Sequence, residues 1–180
     1  MTIAGMLLNI ASYAIPQQPV QESDDLIANH KSNLDKSSLK KMYEDDIVKK
    51  ERDAETLIAD ILDEARSHIG KRYVWATRGP KTFDCSGYVY YVFKQFGYEL
   101  SPSSRHQYTL GTHIERKDVR KGDLVFFHSR RRPKGVGHVG IVYEVTEGSI
   151  LFIHASIRGV RISELEGYYE KNLVGFRRVI

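Results

Sequence analysis

The chain carries one cysteine and two histidines in short motifs of the kind that supports nucleophilic catalysis. Cys85 is the central residue of the segment FDCSG at 83–87, and His138 and His154 lie in two later apolar segments. An imidazole beside a thiol can take its proton and generate a nucleophile near neutral pH. A second imidazole can hold the first in place. The three residues therefore indicate a nucleophile, its base and an orienting group; the alternative is a buried structural cysteine with two core histidines.

Helical spacing of apolar residues predicts a helix that begins at Cys85 and ends before Gly97. Asp84 is suited to cap this helix, because its carboxylate can accept a hydrogen bond from the amide of Ser86 or Gly87. The amides and the dipole at a helix start stabilise an anion. A cysteine at this position is therefore well placed to become a thiolate.

An earlier helix and four strands are predicted around this motif. Apolar residues recur at helical spacing from Asp53 up to Gly70, where the helix would end. The later periodicity is that of strands, over residues 124–128, 138–145, 149–155 and 173–180. Helices followed by an antiparallel sheet predict an α+β domain from about residue 53 to residue 180.

The two histidines are predicted to lie on adjacent strands. A three-residue loop ending in a left-handed Gly148 would pair Val145 with Ser149. In that register His138 and His154 fall on one face of the sheet, one diagonal step of about 7 Å apart. A loop of even length would place them on opposite faces. The odd loop therefore supports a pair in which one ring orients the other.

The composition limits the class of protein. A chain of 180 residues is long enough for one domain and a short additional segment. Its single cysteine excludes an intramolecular disulfide and a cysteine-based metal cluster. The formal net charge of +4 favours acidic partners only weakly. We expect three regions: a signal peptide or hydrophobic leader at 1–15, a polar linker with some helix at 16–52, and the catalytic domain at 53–180.

The N-terminal segment suggests export. Residues 3–15 are apolar but too short to span a bilayer as a helix. Their length suits the apolar region of a signal peptide, and Ser12-Tyr13-Ala14 resembles a cleavage site, although the basic region that normally precedes such a segment is missing. The expected location is secreted or periplasmic, in the cell envelope. The alternative is an N-terminal helix that packs on the domain.

Residues from about 61 to 180 resemble the NlpC-type (NlpC/p-sixty) family of cell-wall cysteine peptidases, which has a compact papain-like fold. The resemblance rests on segments that occur in family order: YVW at 73–75, FDCSG at 83–87, KGDLVFF at 121–127, GHVGI at 137–141 and FIHAS at 152–156. It implies that Cys85 is the nucleophile, His138 the general base and His154 the group that orients the base. It also implies that the Tyr73 hydroxyl binds the oxyanion, together with the Cys85 amide.

The resemblance implies an endopeptidase that cuts peptidoglycan stem peptides at the bond between D-glutamate and diaminopimelate or lysine. We expect Asp84, Ser86, Trp75 and Arg131 to contact the substrate, the last of these from the basic loop at 130–134, for which the alternative is an ordinary solvated loop. We expect no metal ion or other cofactor, no nucleic-acid partner and no transmembrane helix. The oligomeric state does not follow from the sequence.

Three departures from the family pattern concern the rim of the site. The family usually has Gly-Gly where this chain has Ala76-Thr77, and Pro where it has Lys121, while residues 101–104 match only loosely. Other functions also stay open: amidase or acyltransferase chemistry on the same fold, or a wall-binding module without activity. A zinc site built from His128, His138 and His154 is a further alternative, but it would leave Cys85 without a role.

Overall fold

The computed structural model describes residues 36–130 and 133–180, and the chain divides into two compact units, 1–48 and 49–180. Helix α1, Lys36–Ser67, is the first described element. It begins at Lys36 instead of the predicted Asp53, because residues 36–52 contain neither Gly nor Pro and are rich in good helix formers. The predicted linker is therefore helical over this part. The predicted leader at 1–15 and the linker residues 16–35 lie outside the described residues.

Within the second unit, the C-terminal part of α1 packs against the next helix around Tyr88. Ile61 and Ala65 of α1 are fully buried, and the Tyr88 hydroxyl donates to the Ala65 carbonyl at 2.8 Å. Tyr88 belongs to helix α2, Cys85–Lys94, which begins at the predicted residue. The helix stops two residues earlier than predicted, at Lys94, and Gly97 lies beyond it with a φ of +84°.

The strands form one antiparallel sheet. Its spatial order is β1-β6-β2-β3-β4-β5, with bounds β1 Thr112–Ile114, β2 Leu124–Phe127, β3 His138–Val145, β4 Ile150–Ser156, β5 Gly159–Glu164 and β6 Leu173–Arg178. The short helices are α3, Ser104–Gln107, and α4, Gly167–Lys171. The four predicted strands are present within two residues of their expected ends. Strands β1 and β5 were not predicted.

The two faces of the sheet bury separate apolar clusters. On one face Phe126, Val139 and Ile153 pack with α1 and α2 in a cluster that also contains Cys85. On the other face lies a second cluster that includes Phe127 and Phe152. Each fully buried aromatic of this kind contributes on the order of 2–3 kcal/mol. The predicted α+β class, with N-terminal helices packed on an antiparallel sheet, is confirmed.

The β3–β4 hairpin differs from the predicted register in two ways that cancel. Val145 pairs with Ile150 and not with Ser149, so the loop has an even length, and Gly148 is not left-handed. A bulge between Val142 and Glu144 then adds one residue to β3. Beyond the bulge Ile141 pairs with Ile153, which is the predicted register. The histidines therefore share a face, as predicted, although the loop argument that led there was wrong.

Candidate active site

Cys85 is the first residue of α2 and lies at a capped helix start. The Asp84 carboxylate accepts the Gly87 amide at 2.6 Å through one oxygen and the Ala76 amide at 2.9 Å through the other. The predicted cap is thus present, and it also fastens the loop at Ala76 to the helix. Gly87 has no room for a side chain, because a Cβ there would collide with the Thr77 carbonyl oxygen. These contacts fix the backbone on which the thiol is carried.

The first turn of α2 is held from a second side by Gln107. This fully buried side chain donates to the carbonyl oxygens of Ser86 at 3.0 Å and Ser101 at 2.7 Å. The Ser86 hydroxyl donates to the Pro102 carbonyl at 2.9 Å. Gln107 was not predicted as part of the site, because it lies outside the segments that carry the family resemblance.

The thiol of Cys85 is protonated at rest. Burial, and then the neighbouring Asp84 carboxylate, raise its pKa to about 11. Hydrogen bonds from the amides of Ser86, Val139 and Cys85 itself lower the pKa but only partly offset this rise. The Val139 contact brings the sulfur to the start of β3, one residue beyond His138. Cys85 is 7% exposed, so only a small part of it reaches solvent.

His138 and His154 form a hydrogen-bonded pair. His138 Nε2 lies 2.7 Å from His154 Nδ1, and the two rings are nearly perpendicular with centroids 4.9 Å apart. Both rings lie on the sheet face opposite to α2 and contact the second cluster, His138 at Phe127 and His154 at Phe152. The thiol and the imidazoles therefore belong to different cores that meet at the start of β3.

His154 has two hydroxyl neighbours on its far side. Its Nε2 lies 2.9 Å from the Ser163 Oγ and 3.4 Å from the Tyr169 hydroxyl. Tyr169 is held by ring contacts with Phe127 and Phe152 at centroid distances of 5.2 and 4.9 Å. Neither residue was predicted from the sequence, because Ser163 lies on β5 and Tyr169 on α4, and neither element was predicted. The alternation of Val160 and Ile162 with polar residues could have revealed that strand.

Both histidines are neutral at physiological pH. Burial lowers the pKa of His138 to about 4. Burial also lowers the pKa of His154, and the charges of His138 and Arg161 lower it further. Arg161 lies directly opposite His154 on β5. A neutral imidazole has a lone pair free to accept a proton, so His138 is in the state that a general base requires.

Tyr73 and Trp75 lie on the segment beside the cysteine motif. Tyr73 forms a bridge with Phe83, and its half-buried ring packs against the cluster that contains Cys85. Trp75 is 69% exposed. Ala76 follows with a φ of +62°, a conformation that glycine adopts without strain and alanine does not. The family pattern of glycine at this position thus has a physical reason, and this chain departs from it.

The remaining predicted site residues have different surroundings. The side chains of Asp84 and Ser86 are buried and bonded within the helix start, and their contact with substrate stays a prediction. Arg131 lies outside the described residues. His128 Nδ1 bonds to the Gly135 carbonyl at 3.0 Å. Within 36–130 and 133–180 no three His, Cys, Asp or Glu side chains form a group that could hold a metal ion.

The chain is similar to known proteins in both sequence and structure. The model of the NlpC/P60 family matches residues 70–178. The chain is 44% identical over 117 residues to the "Probable endopeptidase p60" of Listeria grayi, covering 64% of this chain and 22% of that protein. It is 33% identical over 121 residues to the "Bifunctional muramidase/DL-endopeptidase CwlT" of Bacillus subtilis, covering 66% and 36%.

A solved structure gives the same result. The chain superposes on a Staphylococcus aureus protein described as "similar to lipoprotein, NLP/P60 family" with a TM-score of 0.61 and 33% identity, covering 68% of this chain and 41% of that one. The chain spans only about a fifth of the length of the Listeria relative. The family model nevertheless matches more than half of the chain. The chain therefore belongs to the NlpC/P60 family.

Proposed function

We propose that the protein is a cysteine endopeptidase that hydrolyses peptidoglycan stem peptides. One observation carries the proposal. The buried, neutral pair of His138 and His154 lies beside the Val139 amide, which the Cys85 thiol contacts from the start of α2. A structural cysteine would need neither the pair nor its hydrogen bond. The names of the Listeria and Bacillus relatives, both endopeptidases, support cleavage of a peptide bond.

The proposed reaction is acyl transfer through a thioester. The Cys85 sulfur attacks the scissile carbonyl while its proton passes to His138, because the thiol is neutral before the attack. The Cys85 amide and the Tyr73 hydroxyl hold the oxyanion. His138 gives the proton to the leaving amine as the C–N bond breaks. Water then attacks the thioester with His138 as base, which releases the acid and restores the thiol.

The proposed scissile bond joins D-glutamate to diaminopimelate or lysine. The name DL-endopeptidase of the Bacillus relative supports a bond of this type. Trp75 is exposed enough to lie against a bound peptide. Asp84, Ser86 and Arg131 are proposed as further substrate contacts.

A substrate in the cell wall requires a protein in the cell envelope or outside the cell. We therefore propose that the chain acts there, and that residues 1–15 serve as an export signal. Among residues 36–130 and 133–180 no helix is long and apolar enough to cross a membrane.

The test is incubation with purified muropeptides followed by mass spectrometry. The proposal expects two products separated at the D-glutamyl bond, with muropeptides of the diaminopimelate and lysine types compared in parallel. Cys85→Ala is the matched control, since it removes one sulfur from a residue that is already buried. Cleavage at the sugar–peptide amide, or binding without cleavage, would contradict the proposal and indicate an amidase or a wall-binding module.

A further inference from the structure

The hydrogen bond between the two histidines permits only one proton arrangement that leaves a base. His138 Nε2 faces His154 Nδ1, so one of these nitrogens donates and the other accepts. If His154 donated, the single proton of neutral His138 would lie on Nδ1. No lone pair would then remain on His138 to take the proton of the thiol. The working arrangement therefore has His138 donating through Nε2–H.

This arrangement fixes the proton of His154. If Nδ1 of His154 accepts, the neutral ring must carry its proton on Nε2. During the reaction Nδ1 of His154 has to accept, because both ring nitrogens of protonated His138 are donors. Arg161, directly opposite His154 on β5, disfavours a positive charge on the His154 ring. His154 must therefore remain neutral, with Nε2–H pointing away from His138.

The buried Nε2–H then needs an acceptor, and the structure supplies one. His154 is fully buried, so water does not reach the ring. Ser163 Oγ lies at 2.9 Å and the Tyr169 hydroxyl at 3.4 Å. Ser163 is the nearer group. Tyr169 is fixed by its ring contacts, and its hydroxyl interacts with that of Ser163.

We propose that Ser163, supported by the Tyr169 hydroxyl, is the positioning residue that keeps the proton of His154 on Nε2 and thereby keeps His138 available as a base. The two hydroxyls lie outside the five segments on which the family resemblance rests. Ser163 acts on the base through His154 and is therefore a positioning residue. The inference rests on the proposed function, because the tautomer affects catalysis only if His138 is the base.

The first experiment needs no activity and no variant. Nitrogen-15 NMR of protein labelled at histidine reports which ring nitrogen carries the proton. The wild-type protein at pH 7 is expected to show Nε2–H tautomers at both His138 and His154. A proton on Nδ1 of His154 would overturn the proposal. This result is independent of hydrolysis, so it stands even if muropeptides are not cleaved and the proposed function fails.

The second experiment removes the acceptor. Ser163→Ala leaves a buried N–H with a weakened partner, so kcat is expected to fall about 10- to 100-fold with KM little changed. The His154 tautomer should shift toward Nδ1–H. Ser163→Thr retains the hydroxyl and should restore both readouts. Ser149→Ala is the matched control, since that hydroxyl bonds to the exposed Glu164 carboxylate and should change neither.

Tyr169→Phe separates the two hydroxyls. The ring contacts remain, and kcat should fall less than in Ser163→Ala because the tyrosine oxygen is farther from Nε2. The double variant Ser163→Ala/Tyr169→Phe should fall furthest. A double variant that folds, keeps the wild-type tautomers and keeps the wild-type kcat would overturn the proposal.

Discussion

Mild acid is expected to destabilise the protein through its buried histidine pair. Folding holds His138 and His154 neutral, because burial lowers the pKa of both rings, that of His138 to about 4. In the unfolded chain each histidine regains a pKa of about 6.5. Below that pH the unfolded state binds more protons than the folded state, so the free energy of unfolding falls as the pH falls. The loss from His138 continues down to about pH 4.

The magnitude follows from proton linkage. Between pH 6.5 and 5.0 each buried neutral histidine lowers the free energy of unfolding by about 1.6 kcal/mol, so the pair lowers it by about 3 kcal/mol. Small domains have a total stability of about 5–15 kcal/mol, so the loss is a large fraction. Most carboxylates remain ionised in this range and contribute less.

Urea denaturation at half-unit steps from pH 7.5 to 5.0 measures this loss. His154→Gln removes one of the two titrating rings, so the fall between pH 6.5 and 5.0 should shrink to about 1.6 kcal/mol. Measuring the variant against its own value at pH 7.5 cancels the packing cost of the substitution. A wild-type stability that is flat over this range, or an unchanged pH slope in His154→Gln, would refute the argument that burial keeps the pair neutral.

The remaining predictions concern the nucleophile, the base and the strained loop. Cys85→Ala should abolish muropeptide cleavage while leaving the melting temperature within a few degrees of the wild-type value. Cleavage by this variant at the wild-type rate would exclude the cysteine mechanism. His138→Ala should lower kcat more than His154→Ala, because the first ring moves the proton and the second orients it; the reverse order would exchange their roles. Alkylation of Cys85 by iodoacetamide should be slow at pH 7 and rise toward pH 11, following the raised pKa, whereas a rate independent of pH would indicate a preformed thiolate. Ala76→Gly should raise the free energy of unfolding by about 1 kcal/mol in urea titrations, because it relieves a left-handed alanine whose methyl group is exposed, and a loss of stability would contradict this reading of the loop.

Local chemistry allowed the helix start to be predicted from sequence. Asp84 precedes an apolar stripe that begins at Cys85, and the capping interaction acts over three residues, so pattern and structure agree. Helix α1 was predicted too short for a related reason. Its N-terminal half lacks buried residues, so the apolar pattern was weak there although the helix propensity was high.

Features of the site that depend on long-range contacts were harder to predict from the sequence. A bulge at Tyr143 is a property of strand pairing and has no signature in the sequence of β3. The predicted register at the histidines was therefore correct although the predicted loop length was wrong. Ser163 and Tyr169 reach His154 only because β5 and α4 follow β4 in the fold. Neither residue type indicates catalysis by itself, and only the position of a buried ring nitrogen gives them a role.

The proposed nucleophile and the proposed base lie in separate apolar clusters, and this arrangement has a physical consequence. Cys85 is packed with the helices on one sheet face, while both imidazoles are packed against Phe127 and Phe152 on the other. Burial on both sides favours the neutral thiol and the neutral imidazole. A thiolate–imidazolium pair is therefore unfavourable until the sulfur bonds to the substrate carbonyl and the oxyanion is hydrogen-bonded to its donors. In the proposed mechanism, proton transfer is therefore coupled to attack. Burial of the imidazoles makes the protein sensitive to acid, and burial of the sulfur holds the resting thiol in its less reactive form.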